Sequence, residues 1–185
     1  MSFDEIKFKE ILSKYYTNFT NKEYIEENND TDVLMQLFGI SPELKRENRQ
    51  YWGRELGMVW ENTTKEIVRN CNGFREQTPG EFGKDSPVDY FIGKLAIDTK
   101  YRIGSGDAGT LKKFKEYGKM LTEKGYTPIF LILREDNLPA AITAAKVGGW
   151  KVIVGQETLE FIRNISSIDF NEILKKYKDT YLISR

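Results

Sequence analysis

Apolar positions along the chain fall first into helical spacing and later into runs of a different period. Ile6, Phe8, Ile11, Leu12, Tyr15 and Tyr16 recur near helical intervals, and so do Val33, Leu34, Leu37 and Phe38 before Gly39. The first fifty residues therefore read as helical, divided by the polar cluster Asn28-Asn29-Asp30-Thr31. A further helix is predicted from about Arg54 to Arg69, with Leu56, Val59, Trp60, Thr63 and Ile67 on one face and a stop near Asn72-Gly73. Residues 75–86, with Pro79 among glycines and turn formers, read as a loop.

Val88 to Ile92 and Leu95 to Ile103 change the pattern. Both are rich in β-branched and aromatic residues, and Gly93-Lys94 between them suits a two-residue hairpin with glycine at the first turn position, the type II′ arrangement. A helix follows from about Thr110 to Glu123, with Leu111, Phe114, Tyr117, Gly118 and Leu121 inward and Gly125 at its end. Pro128 to Leu133 and Lys151 to Val154 read as strands around a small-residue helix, Leu138 to Val147. Helices from about Gln156 to Ile165 and Asp169 to Tyr177 close the chain. The expectation is an α/β (α+β) protein with a mixed central β-sheet flanked by helices, in one domain over residues 1–185: a helical part at 1–50, a core at about 54–155 and C-terminal helices at 156–185.

Composition narrows the chemistry. Hydrophobic residues make up 39% and aromatic residues 13% of the 185, which predicts a folded chain. No apolar run approaches bilayer length, and Met1-Ser2-Phe3-Asp4-Glu5 lacks the basic and apolar regions of a signal peptide, so a cytoplasmic protein without membrane contact is expected. The single cysteine, Cys71, excludes an internal disulfide or a multi-cysteine zinc site and reads as a buried thiol. With no histidine at all, Ser-His-Asp and Cys-His hydrolases, HExxH zinc enzymes and histidine-base nucleases are excluded together. Carboxylates and lysines must carry any catalysis.

Net charge is zero, but the charge is unevenly spread. Lys94 to Lys124 holds eight Lys/Arg against four Asp/Glu, whereas Met1 to Gln50 holds seven against ten. A basic middle beside an acidic start fits a neutral protein with one phosphate-facing surface.

The hairpin concentrates reactive groups. With Gly93 and Lys94 at the turn, Ile92 faces Leu95, Tyr90 faces Ile97, and Asp89 is expected directly across from Asp98. The period of two then sends Asp98 and Lys100 to one side. Like charges placed opposite on a sheet are destabilising, and a divalent cation resolves the conflict; Mg²⁺ accepts one or two carboxylates with waters and phosphate oxygens. Lys100 would stand where it orients or helps deprotonate an attacking water. A solvated Asp98–Lys100 ion pair on an exposed sheet face is the plainer alternative.

Pro87-Val88-Asp89, eight residues, then Asp98-Thr99-Lys100 resembles the signature of the PD-(D/E)xK nuclease superfamily, with the proline two positions before the aspartate rather than one. The order of elements over about residues 54–155 resembles that family's restriction-endonuclease-like core. The resemblance implies metal ligation by Asp89 and Asp98, Lys100 as the catalytic lysine, and a further carboxylate from the preceding helix, for which Glu61 is favoured over Glu55 and Glu66. It implies Mg²⁺-dependent cleavage of double-stranded DNA at a short palindromic site by a homodimeric type II restriction endonuclease. Junction-resolving or repair nucleases of the same fold, and a non-catalytic DNA-binding subunit, are the alternatives.

The Gly-rich stretch leaving the second hairpin strand leads into a helix bearing Lys112, Lys113, Lys115 and Lys119. Its glycines admit a close phosphate, and a helix N-terminus favours anions. Arg102, Ser105, Asp107, Thr110, Lys112, Lys113 and Lys115 are therefore the expected DNA contacts, against the alternative of a plain turn and a solvated lysine face.

Overall fold

The computed structural model describes residues 5–183; the leader reading at Met1 to Asp4 lies outside them. In chain order the elements are α1 (Glu5–Thr20), β1 (Glu23–Tyr24), α2 (Val33–Phe38), α3 (Pro42–Glu47), α4 (Arg49–Val68), β2 (Phe74–Glu76), β3 (Tyr90–Ile92), β4 (Leu95–Lys100), β5 (Ser105–Gly106), α5 (Ala108–Glu123), β6 (Thr127–Ile132), α6 (Pro139–Val147), β7 (Lys151–Val154), α7 (Gln156–Ser166) and α8 (Phe170–Lys176). Asp32, Ser41, Asn48, Asp107 and Asp169 each cap the helix that follows, accepting backbone N–H groups that the first turn leaves without partners.

Five strands form a mixed sheet in the order β2-β3-β4-β6-β7. The β2-β3-β4 part is antiparallel, and β4, β6 and β7 run parallel. Parallel neighbours need crossovers, and α5 and α6 supply them, packing on one face against Phe91, Phe130 and Ile132. The opposite face, with Tyr90, Ile97, Ile129 and Leu131, is covered by α4, α7 and α8. The Trp60 indole N–H donates to the Leu131 carbonyl at 3.1 Å, fixing α4 over β6. Where α5 meets α6, a Cβ at Gly118 would collide with the Gly148 carbonyl and the Trp150 ring, so glycine permits that close approach.

Three expectations change. The long helix starts at Arg49 because Asn48 caps it, and its buried stripe is Trp52, Leu56, Trp60, Thr64 and Val68, with Val59, Thr63 and Ile67 only partly covered. Arg75 and Glu76, read as the start of a loop, belong with Phe74 to a strand that pairs with β3; three residues are too few to show a period. The N-terminal apolar stripe does form a helix, α1, yet none of its residues is buried. Among the described residues no helix is long and apolar enough to cross a membrane. Cys71 is half-buried, its thiol pushed up by burial, with Sγ donating to the Ile165 carbonyl at 3.4 Å.

Candidate active site

The β3–β4 hairpin turns at Gly93, whose φ of +57° is a left-handed value that glycine adopts without strain. Register runs as expected from Ile92↔Leu95 to Tyr90↔Ile97. At Asp89 it departs. The Asp89 N–H donates to the Ile97 carbonyl at 2.9 Å, so Asp89 and Tyr90 together oppose Ile97, the two-against-one arrangement of a β-bulge. The expected direct pairing of Asp89 with Asp98 is thus not formed, the ladder ending at Tyr90↔Ile97. Asp89 Oδ2 accepts from the Thr99 N–H at 2.7 Å and from the Thr99 hydroxyl at 2.6 Å.

The two carboxyl groups still act on one another electrostatically, Asp89 raising Asp98. Asp98 is buried among the sheet residues, and Lys100 Nζ donates to its Oδ1 at 2.7 Å. The lysine also donates to the Thr99 carbonyl at 3.3 Å and stands 5.9 Å from the Phe130 ring centre, with about a third of its side chain exposed. Burial, reinforced by the Asp89 charge and opposed by Lys100, pushes the Asp98 carboxyl up to about 7. Burial would lower the Lys100 ammonium, but the charges of Asp98 and Asp89 outweigh it and hold it above its usual value. One ammonium against two carboxyl groups leaves negative charge that a cation would relieve.

Of the carboxylates on α4, Glu61 bears electrostatically on Lys100. It pairs at 3.4 Å with Lys65, a largely covered lysine that sequence reading missed although it lies one turn along from Glu61. Glu55 pairs with Arg54 at 2.9 Å, and Glu66 with Arg69 at 2.7 Å. Among the described residues no three Asp, Glu or Cys side chains gather closely enough to hold a metal ion. The site is a two-carboxylate one, which fits Mg²⁺, since this ion commonly takes one or two carboxylates and completes its shell with water and phosphate oxygens.

Lys100 opens into a cleft of about 520 Å³ shared with Arg49, Gln50, Ser105, Thr110 and the Tyr24–Glu27 segment. Ser105 and Thr110 therefore lie with Lys100, and Arg49 and Gln50 join them from the start of α4, some fifty residues away in sequence. Arg102 lines the same cleft, and its guanidinium donates to Asp136 Oδ2 at 3.0 Å and to the Ile25 carbonyl at 2.8 Å. Asp107 accepts from the Thr110 N–H at 2.8 Å as the cap of α5. Lys112, Lys113, Lys115 and Lys119 are exposed along that helix; Lys112 and Lys119 stand 3.5 and 3.8 Å from Glu116 and Glu123.

Beyond Lys100 the strand end is locked by a buried charge network. Buried Lys45 pairs with Glu27 and donates to the Tyr101 hydroxyl at 2.6 Å, and that hydroxyl donates to Asp32. Arg134 bridges Asp32 at 3.2 Å and Asp136 at 2.8 Å. These bonds strap residues 25–32 over the ends of β4 and β6 and so form one wall of the cleft. Comparison of the chain with protein families, with curated proteins and with solved structures finds no match.

Proposed function

We propose that this chain is a Mg²⁺-dependent deoxyribonuclease of the PD-(D/E)xK type with a restriction-endonuclease-like core, cutting double-stranded DNA at a short palindromic site as a type II restriction endonuclease does. The observation that carries the reading is the gathering of Asp89, Asp98 and Lys100 on one hairpin: Lys100 lines a cleft and is held by buried Asp98, while the bulge turns Asp89 onto Thr99 between them. Bulges recur beside active sites because they redirect a side chain that a regular ladder would misplace.

Asp89 and Asp98 would hold the Mg²⁺. Such an ion, when bound, polarises a phosphoryl oxygen and acidifies a coordinated water. The protein's own part is positional and electrostatic. Thr99 fixes the Asp89 carboxylate through two donors, Asp98 holds the Lys100 ammonium, and Lys100 meets the charge that develops on the phosphate or steadies the attacking water. Glu61 adds negative charge behind Lys100. Ser105 and Thr110 are assigned to the DNA groove, the exposed lysines of α5 to phosphates, and Arg102 and Asp107 to shaping the segment between. Two strands require two such centres, so the active species is a homodimer in the cytoplasm.

The test is incubation with supercoiled plasmid and MgCl₂, followed by sequencing of the ends. Cutting of unmodified duplex at fixed positions supports the reading. Cutting only at branched structures would reassign the chain to junction resolution or repair, and tight duplex binding without cutting would make it a DNA-binding subunit.

A further inference from the structure

Helix α1 carries an apolar face that nothing in the described chain buries. Ile11, Leu12, Tyr15, Tyr16 and Phe19 follow the i, i+1, i+4, i+5, i+8 pattern of a single stripe. Their exposures run from 46% at Ile11 to 74% at Phe19, and no residue of the helix is buried. Taken together these exposed fractions are worth about three whole side chains, roughly 600 Å² at about 200 Å² each. That equals the roughly 600 Å² each partner gives at the lower end of stable protein interfaces.

The helix also needs cover to exist. At 16 residues it sits near the length at which isolated helices are marginal in water even when rich in alanine. Its second half, Lys14-Tyr15-Tyr16-Thr17-Asn18-Phe19-Thr20, is made mainly of poor helix formers.

We infer that α1 is a self-association helix, its stripe packing against the same stripe of a second copy of this chain about a two-fold axis. Three features select that occupant. The area matches one side of a stable interface. An apolar stripe meeting itself needs no complementary charge, and the flanks carry both signs, Glu5 and Glu10 with Lys7, Lys9 and Lys14, so neither copy presents a single-sign field to the other. The face is aromatic and aliphatic rather than cationic, which is the wrong chemistry for a phosphate backbone. Its placement gives the pairing a consequence: β1, three residues after α1, pairs with β5 through Glu23↔Gly106 and Tyr24↔Ser105, at the rim of the Lys100 cleft. Pairing of α1 would therefore relate two such clefts by symmetry. Self-association through α1 does not depend on whether the chain cuts DNA.

Sedimentation equilibrium of the full chain without DNA tests it, beside a Leu12→Glu/Tyr16→Glu variant and a Lys14→Glu control on the polar side of the helix. The wild type and the control are expected to be dimers at micromolar concentration and the double variant a monomer, with at least a tenfold weaker association. Hydrogen exchange on the wild type alone gives a second readout: protection of the α1 amides should rise with protein concentration. A monomeric wild type, a double variant that dimerises normally, or α1 protection independent of concentration overturns the proposal. So does a monomer whose α1 becomes protected only on phosphatidylglycerol vesicles or on duplex DNA, since the cover would then be lipid or nucleic acid.

Discussion

Lys100 Nζ donates to Asp98 Oδ1 at 2.7 Å from two residues along the same strand, so the ammonium and the carboxylate share one face of β4 and hold each other in place. The proposed roles can nevertheless be separated. Asp98→Asn removes a charged ligand, so Mg²⁺ affinity and cleavage should fall together. Lys100→Ala should keep the affinity and lose at least about 10²-fold in rate, the lower end of what a positioned proton-transfer group supplies. Both variants should fold and still bind cognate duplex in Ca²⁺. Single-turnover cleavage in Mg²⁺ beside Ca²⁺-supported binding decides it; either variant cutting at the wild-type rate removes this strand from the catalytic centre.

The exposed lysines of α5 give a prediction in salt dependence. Lys112 is 73% exposed and its pairing with Glu116 is of the surface kind worth little, so the ammonium is available to a phosphate. Removing one lysine–phosphate pair should flatten the slope of log K against log salt by about 0.9. Lys112→Gln/Lys113→Gln should therefore lower the slope by about 2 and weaken cognate and random duplex alike. An unchanged slope would place these lysines away from DNA.

The hairpin was legible in sequence because its register follows from a two-residue turn at Gly93, and Asp98 and Lys100 share a face by the period of two. The bulge at Asp89 was not, since it depends on which carbonyl one N–H finds. Arg49, Gln50 and Lys65 were missed for another reason: they reach the site or its cleft through the packing of α4 on the sheet, and periodicity cannot predict that docking. Arg102 shows the same limit. It lies in the cleft as its place near the motif suggested, but its partner there, Asp136, comes from beyond the end of β6 and could not be read from the sequence.

The Lys45 network should be costly to break on one side. Lys45→Met keeps the stem but leaves Glu27 a largely covered carboxylate without its ammonium, and removing one partner of a buried pair costs about 3–5 kcal/mol. Glu27 keeps a weaker contact with Arg134 at 3.5 Å, so the loss should fall toward the lower figure. Lys45→Met/Glu27→Gln should recover part of it, giving a coupling energy above about 1 kcal/mol in a double-mutant cycle. Urea unfolding measures all four proteins; a Lys45→Met variant within about 0.5 kcal/mol of wild type would mean the pair adds nothing net.

Acid stability offers a test on the loop that precedes Asp89. Arg75 grips Glu81 with two bonds, Nη1 to Oε2 at 2.9 Å and Nη2 to Oε1 at 2.7 Å, while its guanidinium lies 3.8 Å from the Phe91 ring centre. The Arg75 bonds, helped by Thr78, hold the Glu81 carboxyl at about 2, below the usual 4.5. A carboxyl depressed in the folded state stabilises it fully above its unfolded value and loses that contribution as pH falls through the folded one, so the window runs from about 4.5 down to about 2. Arg75 is over a third exposed and solvent screens the pair, so its worth is about 1–2 kcal/mol, well short of the full shift. Asp98 works with the opposite sign: its carboxyl is raised to about 7, so its burial cost is relieved as pH falls from there toward 3.8. Only a difference between two proteins isolates Glu81. Glu81→Gln should be less stable than wild type by about 1–2 kcal/mol at pH 6, and the gap should close by about pH 2 in urea titrations across that range. Parallel stability curves for the two proteins would show that the grip on Glu81 contributes nothing to folding.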